Sequence, residues 1–135
     1  AGTLSGNPLG MAAGLATLRA LTPEAYEDLE AASSRLADGL RQALARFRVR
    51  GCVQRVGAML TLFFGVEHVR NFADACSADH ARFARFFHAM LNRGVHLPPS
   101  GYEAWFVSTA HDRTVVDRTL AAVNEAMAEV AETAG

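Results

Sequence analysis

Two short segments rich in β-branched and apolar residues, separated by a single glycine, constrain the fold of this chain most strongly. Cys52–Val56 and Ala58–Gly65 lie on either side of Gly57, and this composition is typical of β-strands. The pattern predicts two strands joined at Gly57, or one strand bent there at a bulge. Parallel strands need long crossover connections, so strand pairs this closely spaced exclude a long parallel β-α-β series.

Helical signals flank these strands on both sides. Ser5 or Asn7 can cap a first helix over Leu9–Leu21, and Pro8 suits the first helical position because its missing N–H costs nothing there. Small residues in this helix permit close packing, which predicts contact with a large neighbouring structure. Three further helices with apolar residues at a period of 3.6 are predicted: from the cap Thr22 to Gly51, from Asp74 or Ser77 to Asn92, and after the cap Asp112.

Two more short strands complete the pattern. Val95–Leu97 is stopped by Pro98 and Pro99, and Ala104–Thr109 precedes the last helix. The resulting order α-α-β-β-α-β-β-α predicts an α+β fold, in which helices cover one face of a small antiparallel sheet. A length of 135 residues is sufficient for one domain with its own core.

Composition excludes several classes of function. The net charge of −1 gives no electrostatic attraction to nucleic acid or to acidic membranes. The longest uncharged apolar stretches, Leu9–Leu18 and Ala58–Val66, are shorter than the ~18 residues of a membrane span. Cys52 and Cys76 are too few for a disulfide scaffold and lack the spacing of a metal site. Without a basic leader before an apolar segment, we expect a cytoplasmic protein with no nucleic-acid, membrane or metal partner.

A serine, a histidine and an aspartate lie close together near the start of the last helix. Ser108, His111 and Asp112 contain the residue types of a catalytic triad. In a triad the acid orients the far side of the imidazole, which neighbours on one turn seldom achieve. Capping of the strand-to-helix connection is therefore the favoured interpretation.

Two other positions are candidates for ligand contact. Glu103 follows a rigid, proline-containing loop that enters a strand, and loops on rigid scaffolds often carry function. Gly2 and Thr3 precede a capped helix, where a glycine backbone, a threonine hydroxyl and free N–H groups can bind a phosphate. The alternatives are a solvated loop glutamate and an ordinary helix cap.

Two runs of residues resemble a known enzyme family over nearly the whole chain. The first run is Gly2-Thr3-Leu4-Ser5-Gly6-Asn7-Pro8-Leu9, followed by Met11-Ala12-Ala13-Gly14. The second contains Phe86-Phe87-His88-Ala89-Met90-Leu91, Gly94-Val95, Leu97, Pro99-Ser100, Tyr102-Glu103-Ala104, Phe106, Ser108 and Ala110-His111. The Gly-Asn-Pro-Leu core is similar to the C-terminal part of class III pyridoxal-phosphate aminotransferases. The remaining pieces resemble the glutamate-1-semialdehyde 2,1-aminomutases within that class.

The resemblance implies the C-terminal small domain of an aspartate-aminotransferase-like (fold type I) enzyme. Residues 1–21 would form an interdomain helix with a phosphate-contacting Gly-Thr turn, and residues 22–135 the small domain. The family converts glutamate 1-semialdehyde to 5-aminolevulinate for tetrapyrrole synthesis, as a homodimer that uses the pyridoxal/pyridoxamine 5′-phosphate couple. Gly2 and Thr3 match a pair that reaches the cofactor phosphate of the neighbouring subunit, and Glu103 matches a glutamate near the substrate.

One departure limits what the chain can do alone. It contains no lysine, whereas the Schiff-base lysine of the family, and the Asp that pairs with the pyridine nitrogen, precede the Gly-Thr turn. We therefore expect an inactive C-terminal fragment that does not bind the cofactor by itself. Two alternatives stay open: part of another class III ω-aminotransferase, which the segment Pro99–Ala104 opposes, and a stand-alone, non-catalytic module for dimerisation or binding.

Overall fold

The computed structural model describes Gly2 and residues 4–132 of the 135-residue chain. The helices and strands follow in the order α1 (Pro8–Ala20), α2 (Pro23–Arg46), β1 (Gly51–Val56), β2 (Met59–Phe64), α3 (Phe72–Cys76), α4 (His80–Asn92), β3 (Trp105–Phe106) and α5 (Arg113–Glu132). The strands form one sheet in the order β1-β2-β3. No helix in the described part of the chain has both the length and the apolar composition that crossing a membrane requires.

Strands β1 and β2 form an antiparallel hairpin, which confirms two strands rather than one bent strand. The register pairs Val56 with Met59 across a turn made by Gly57 and Ala58. Gly57 has a φ of 55°, and tight hairpin turns need a positive φ that glycine adopts without strain. The glycine that separates the two segments in the sequence therefore also fixes the register of the sheet.

Strand β3 is shorter than the predicted strand Ala104–Thr109. It pairs antiparallel with β2 over its two residues, Trp105 and Phe106. Farther along, the backbone N–H of Ser108 donates to Nδ1 of His111 at 2.9 Å. Because this donor bonds within its own turn, the ladder cannot extend along the predicted length.

The predicted strand Val95–Leu97 is wrong, since the structure has irregular backbone there. Gly94 ends α4 with a φ of 78°, as its sequence position predicts. The backbone N–H of Val95 then donates to the carbonyl oxygen of Met90 at 3.0 Å. Pro98, which follows, has no N–H to donate, so this segment closes the helix end instead of joining the sheet.

The predicted start of the third helix at Asp74 or Ser77 is also wrong. The structure has two helices in this region, and the longer one is capped by Asp79, whose carboxylate accepts from the N–H of Arg82 at 2.8 Å. Asp74 lies inside the short helix α3, where its carboxylate accepts from the N–H of Arg70 at 2.9 Å. Several residues in this stretch can cap a helix, and α4 begins after Asp79 because that carboxylate is the one bonded to its first turn.

Helices α2 and α4 pack against the sheet, and α5 packs against both of these helices to complete one core, which confirms the predicted α+β arrangement. The alternation along β2 directs Leu60, Leu62 and Phe64 into this core and leaves Met59 on the other face. The helices contribute buried residues at helical spacing: Leu36, Leu40, Ala43 and Leu44 from α2, Phe83, Phe86 and Met90 from α4, and Val116, Val123, Met127 and Val130 from α5.

Helix α1 begins at the predicted signal but lies outside this core. Asn7 is its N-cap, and Pro8 occupies the first turn. None of its residues is buried, and Leu9 and Leu18 are 81% and 70% exposed. The first predicted helix is therefore correct in position, and its apolar surface is open in this structure.

Candidate functional site

The loop between α4 and β3 holds Glu103 in a closed turn. The backbone N–H of Glu103 donates to the carbonyl oxygen of Ser100 at 3.1 Å, and the N–H of Ser100 donates to Oε2 of Glu103 at 3.0 Å. The N–H of Tyr102 donates to Oγ of Ser100 at 3.2 Å. These reciprocal bonds orient the carboxylate although its side chain is exposed.

Two neighbouring elements hold this loop in place. From β2, the hydroxyl of Thr61 donates to the carbonyl oxygen of Glu103 at 3.4 Å. From α4, the rings of His80 and Phe83 lie against the buried Gly101. A Cβ at Gly101 would be 2.9 Å from Nδ1 of His80 and 3.2 Å from the ring of Phe83. Only a glycine lets the loop approach α4 this closely.

Tyr102 extends the contact between this loop and the helices. Its ring stacks on that of His80, with the centroids 4.2 Å apart and the planes at 24°, and lies 5.9 Å from the ring of Phe72 in α3. Hydrogen bonding to the thiol of Cys76, followed by desolvation, raises the pKa of the Tyr102 hydroxyl. The hydroxyl is therefore neutral at physiological pH.

The predicted phosphate contact at Gly2 and Thr3 precedes α1. Gly2 is exposed, and its carbonyl oxygen accepts from the N–H of Ser5 at 3.0 Å; Thr3 lies outside the described residues. The side chain of Asn7 accepts from two N–H groups in the first turn of α1. Those helix donors are therefore already used, and an anion at this turn would depend on the backbone around Gly2.

The structure does not bring the two predicted sites together. Among Gly2 and residues 4–132, no hydrogen bond or ion pair joins the Gly2 turn to the Glu103 loop. Within the same residues, no group of three or more His, Cys, Asp and Glu side chains is arranged to hold a metal ion. The Glu103 loop is thus a separate feature, built on the sheet and on α4.

The group of Ser108, His111 and Asp112 is a capping structure, as the sequence favours. The Ser108 hydroxyl lies 2.9 Å from Nδ1 of His111, which also accepts the Ser108 backbone N–H. The carboxylate of Asp112 accepts from the N–H of Val115 at 2.8 Å and so caps α5. Because the acid bonds to the helix and not to the imidazole, the relay of a triad does not form.

Sequence reasoning missed His80 and Thr61 as residues that contact the Glu103 loop. Both are far from Glu103 in the chain, and no local spacing connects them. The one signal available was Gly101, since a glycine inside a proline-containing loop can mark a close approach to another element. It does not say which element approaches.

The fold is that of class III, pyridoxal-phosphate-dependent transaminases, and corresponds to the C-terminal domain of a fold type I enzyme. An omega-transaminase from Sphaerobacter thermophilus superposes with a TM-score of 0.80 at 24% identity, over 98% of this chain and 30% of that one. A glutamate-1-semialdehyde-aminomutase from Pseudomonas aeruginosa PAO1 superposes with a TM-score of 0.72 at 24% identity, over 82% of this chain and 24% of that one. At these identities the likeness establishes the fold alone.

Sequence similarity is more specific. The glutamate-1-semialdehyde 2,1-aminomutase of Sorangium cellulosum (strain So ce56) is 54% identical over 128 residues, which are 95% of this chain and 29% of that protein. The protein of the same name from Anaeromyxobacter sp. (strain Fw109-5) is 54% identical over 98% of this chain and 31% of its own length. The chain is therefore a homologue of the C-terminal part of these aminomutases, as the resemblance predicts, and spans less than a third of their length. No protein-family model matches the sequence.

Proposed function

We propose that this chain is the C-terminal part of an aminomutase that converts glutamate 1-semialdehyde to 5-aminolevulinate, a step of tetrapyrrole synthesis. The observation that carries the proposal is 54% identity to the Sorangium cellulosum aminomutase over 95% of the chain. Residues 22–135 form the small domain in this proposal, and residues 1–21 connect it to the part that carries the cofactor. The whole protein works as a homodimer in the cytoplasm.

In this proposal, Glu103 is the residue of this chain that contacts the substrate. One carboxylate oxygen, Oε2, is occupied by the N–H of Ser100. The other oxygen, Oε1, is free to accept a hydrogen bond from the substrate ammonium group or to hold a proton during transfer. An oriented carboxylate of this kind fits a reaction that moves an amino group between adjacent carbons.

The residues of this chain do not form a complete pyridoxal-phosphate site. The sequence contains no lysine, so a covalent anchor for the cofactor comes from the remaining part of the protein. We propose that Gly2 and Thr3 contact the cofactor phosphate of the neighbouring subunit through backbone and hydroxyl groups, since the helix donors behind them are used by Asn7. The cofactor, when bound, supplies the electron sink and carries the amino group.

The proposal is tested with a fused holoenzyme. In this protein, the chain replaces the matched C-terminal part of the Sorangium cellulosum aminomutase, and the product is loaded with pyridoxal phosphate. We expect conversion of glutamate 1-semialdehyde to 5-aminolevulinate without an added keto acid. A folded, cofactor-loaded dimer that forms no 5-aminolevulinate would refute the proposal and favour a non-catalytic module.

Glu103→Gln in the fused holoenzyme tests the role of the carboxylate. The amide keeps the size of the side chain but loses the charge, so we expect kcat to fall by about 100-fold, within the range that one acid–base group supplies. Cofactor absorbance stays unchanged, because Glu103 does not hold the phosphate. Glu67→Gln, at a side chain 78% exposed beside Arg50, is the matched control, and equal activity in the two variants would remove Glu103 from the site.

Thr3→Ala tests the phosphate contact. Loss of a hydroxyl hydrogen bond to a phosphate weakens cofactor retention by about 1–3 kcal/mol, measured as the pyridoxal-phosphate concentration that half-restores activity to the apoenzyme. Thr17→Ala is the control, because the Thr17 hydroxyl bonds to the carbonyl oxygen of Ala13 inside α1. Unchanged retention in Thr3→Ala would exclude this residue.

A further inference from the structure

His80 has no direct role in the proposed reaction, yet its side chain makes several contacts near Glu103. It is the first residue of α4, and its ring is held from one side because Nε2 lies 3.0 Å from the carbonyl oxygen of Ala75 in α3. A carbonyl only accepts, so Nε2 carries the proton in this bond. The ring therefore has a fixed direction.

The other side of the same ring supports the loop that carries Glu103. Tyr102 stacks on it at 4.2 Å, and the Cα of Gly101 packs so closely that an added Cβ would be 2.9 Å from Nδ1. Two consecutive residues immediately before Glu103 thus rest on one imidazole. On the other side of the loop, Thr61 holds the carbonyl oxygen of Glu103 with a bond of 3.4 Å, which is long for a hydroxyl donor.

We propose that His80 is a positioning residue for Glu103, and the inference rests on the proposed function of that carboxylate. The imidazole ring sets how far the Ser100–Glu103 turn lies from α4, and this turn directs the carboxylate through the bond between Ser100 N–H and Oε2. Without the ring, Tyr102 loses the aromatic group on which it stacks, and Gly101 loses the contact that limits how closely the loop approaches α4. The carboxylate then samples positions away from the substrate.

The test uses the fused holoenzyme. We expect His80→Ala to lower kcat by about tenfold, since a displacement of 1 Å can cost up to about 100-fold, with little change in KM or in cofactor absorbance. His80→Phe keeps a planar ring for Tyr102 and is expected to stay within about threefold of the unsubstituted kcat. His88→Ala, the same change at an exposed position of α4, is the matched control and leaves kcat unchanged.

A double-mutant cycle separates positioning from a general loss of structure. If His80 acts through Glu103, His80→Ala has no further effect on kcat in the Glu103→Gln background. The same tenfold loss in both backgrounds would overturn the inference, and so would an unchanged kcat in His80→Ala. If His80→Ala does not accumulate as folded protein, His80→Leu takes its place, since it fills the volume without a ring.

The two proposals fail in different ways. An unsubstituted fused holoenzyme that forms no 5-aminolevulinate overturns the proposed function, and with it the role of His80. An active fused holoenzyme whose Glu103→Gln variant is impaired, but whose His80 variants are not, overturns the role of His80 alone.

Discussion

Helices α1 and α2 follow each other in the chain and begin with the same signal, yet they reach opposite environments. Each has a polar cap followed by proline, Asn7-Pro8 in α1 and Thr22-Pro23 in α2. Helix α2 buries a stripe of residues from Ser33 to Leu44, whereas α1 buries none. The start signal therefore determines where a helix begins, and the pattern that follows determines where it packs.

The two patterns differ in their polar face. Helix α2 has charged residues opposite its apolar stripe, so one face can meet water. Helix α1 contains a single charged residue, Arg19, and is otherwise apolar or small around its circumference. Such a helix is normally buried, yet the described part of the chain does not cover it. Substitutions in α1 should therefore change the free energy of unfolding less than substitutions in the core, and should change self-association more.

The largest difference in the loss of unfolding free energy is expected between the substitution of a core phenylalanine and that of an α1 leucine. Phe86 is fully buried and its ring is 5.4 Å from that of Phe64. Phe86→Ala should lower the free energy of unfolding by about 3–5 kcal/mol, because it leaves a cavity. Leu9→Ala, at a side chain 81% exposed, should change it by less than about 0.5 kcal/mol. Urea unfolding of the isolated chain measures both, and equal losses would show that α1 belongs to the same cooperative unit.

Much of the fold could be predicted because its signals are local. Pro8 and Pro23 mark two helix starts, and Gly57 marks the hairpin turn. The start of α4 could not be read in this way, because Asp74, Ser77 and Asp79 are all competent caps. Tertiary structure selects Asp79, whose own N–H donates to the carbonyl oxygen of Phe64 at 2.8 Å at the end of β2.

In the candidate site too, the local part could be predicted from the sequence and the long-range contacts could not. The closed turn from Ser100 to Glu103 is formed by residues three apart in the chain, so a proline-containing loop ending in a carboxylate was informative. The contact of this loop with His80 joins two distant segments and leaves no pattern in the sequence. For Gly2, the sequence suggested helix N–H donors for a phosphate and left the cap open between Ser5 and Asn7. The structure shows that Asn7 is the cap and uses two of those donors.

The exposed apolar surface of α1 should also make the isolated chain self-associate, which the buried surface of α2 cannot do. A large exposed apolar surface on α1 predicts that the isolated chain associates and binds a hydrophobic dye. Leu15 and Leu18 are 50% and 70% exposed. Changing both to Gln should weaken association by about 1.5–3 kcal/mol for each side chain that is buried at the contact. Sedimentation at several concentrations measures this, and a compact monomer that binds no dye would contradict the expectation.

A smaller difference in unfolding free energy is expected when a buried hydroxyl of α2 and an exposed hydroxyl of α1 are each removed. Ser33 of α2 is fully buried, and its hydroxyl bonds to the carbonyl oxygen of Gly57 at 3.0 Å and accepts from Arg55 at 3.2 Å. Ser33→Ala should cost about 1 kcal/mol, because both partners keep other bonds. Thr17→Ala in the exposed α1 should not lower the free energy of unfolding. A loss in Thr17→Ala as large as in Ser33→Ala would remove the distinction between the helices.

The smallest expected effect is a pH dependence of the unfolding free energy, which arises from an acidic residue of α2 and has no counterpart in α1. The guanidinium of Arg55, hydrogen-bonded to Glu30, holds the pKa of that carboxyl below its usual value. The folded state thus keeps Glu30 ionised at a pH where the unfolded chain takes up a proton. The resulting stabilisation is complete above the usual carboxyl pKa and is lost as the pH falls through the lowered, folded-state value.

Glu30→Gln should therefore lower the free energy of unfolding at pH 7 by a small amount that shrinks in acid. Urea unfolding of both proteins at pH 7 and at about pH 3, below the usual glutamate pKa, measures the change. Helix α1 has no acidic residue between Pro8 and Ala20, so the effect of Leu9→Ala should be the same at both pH values. A pH-independent effect of Glu30→Gln would mean that the ion pair with Arg55 contributes through packing and not through charge.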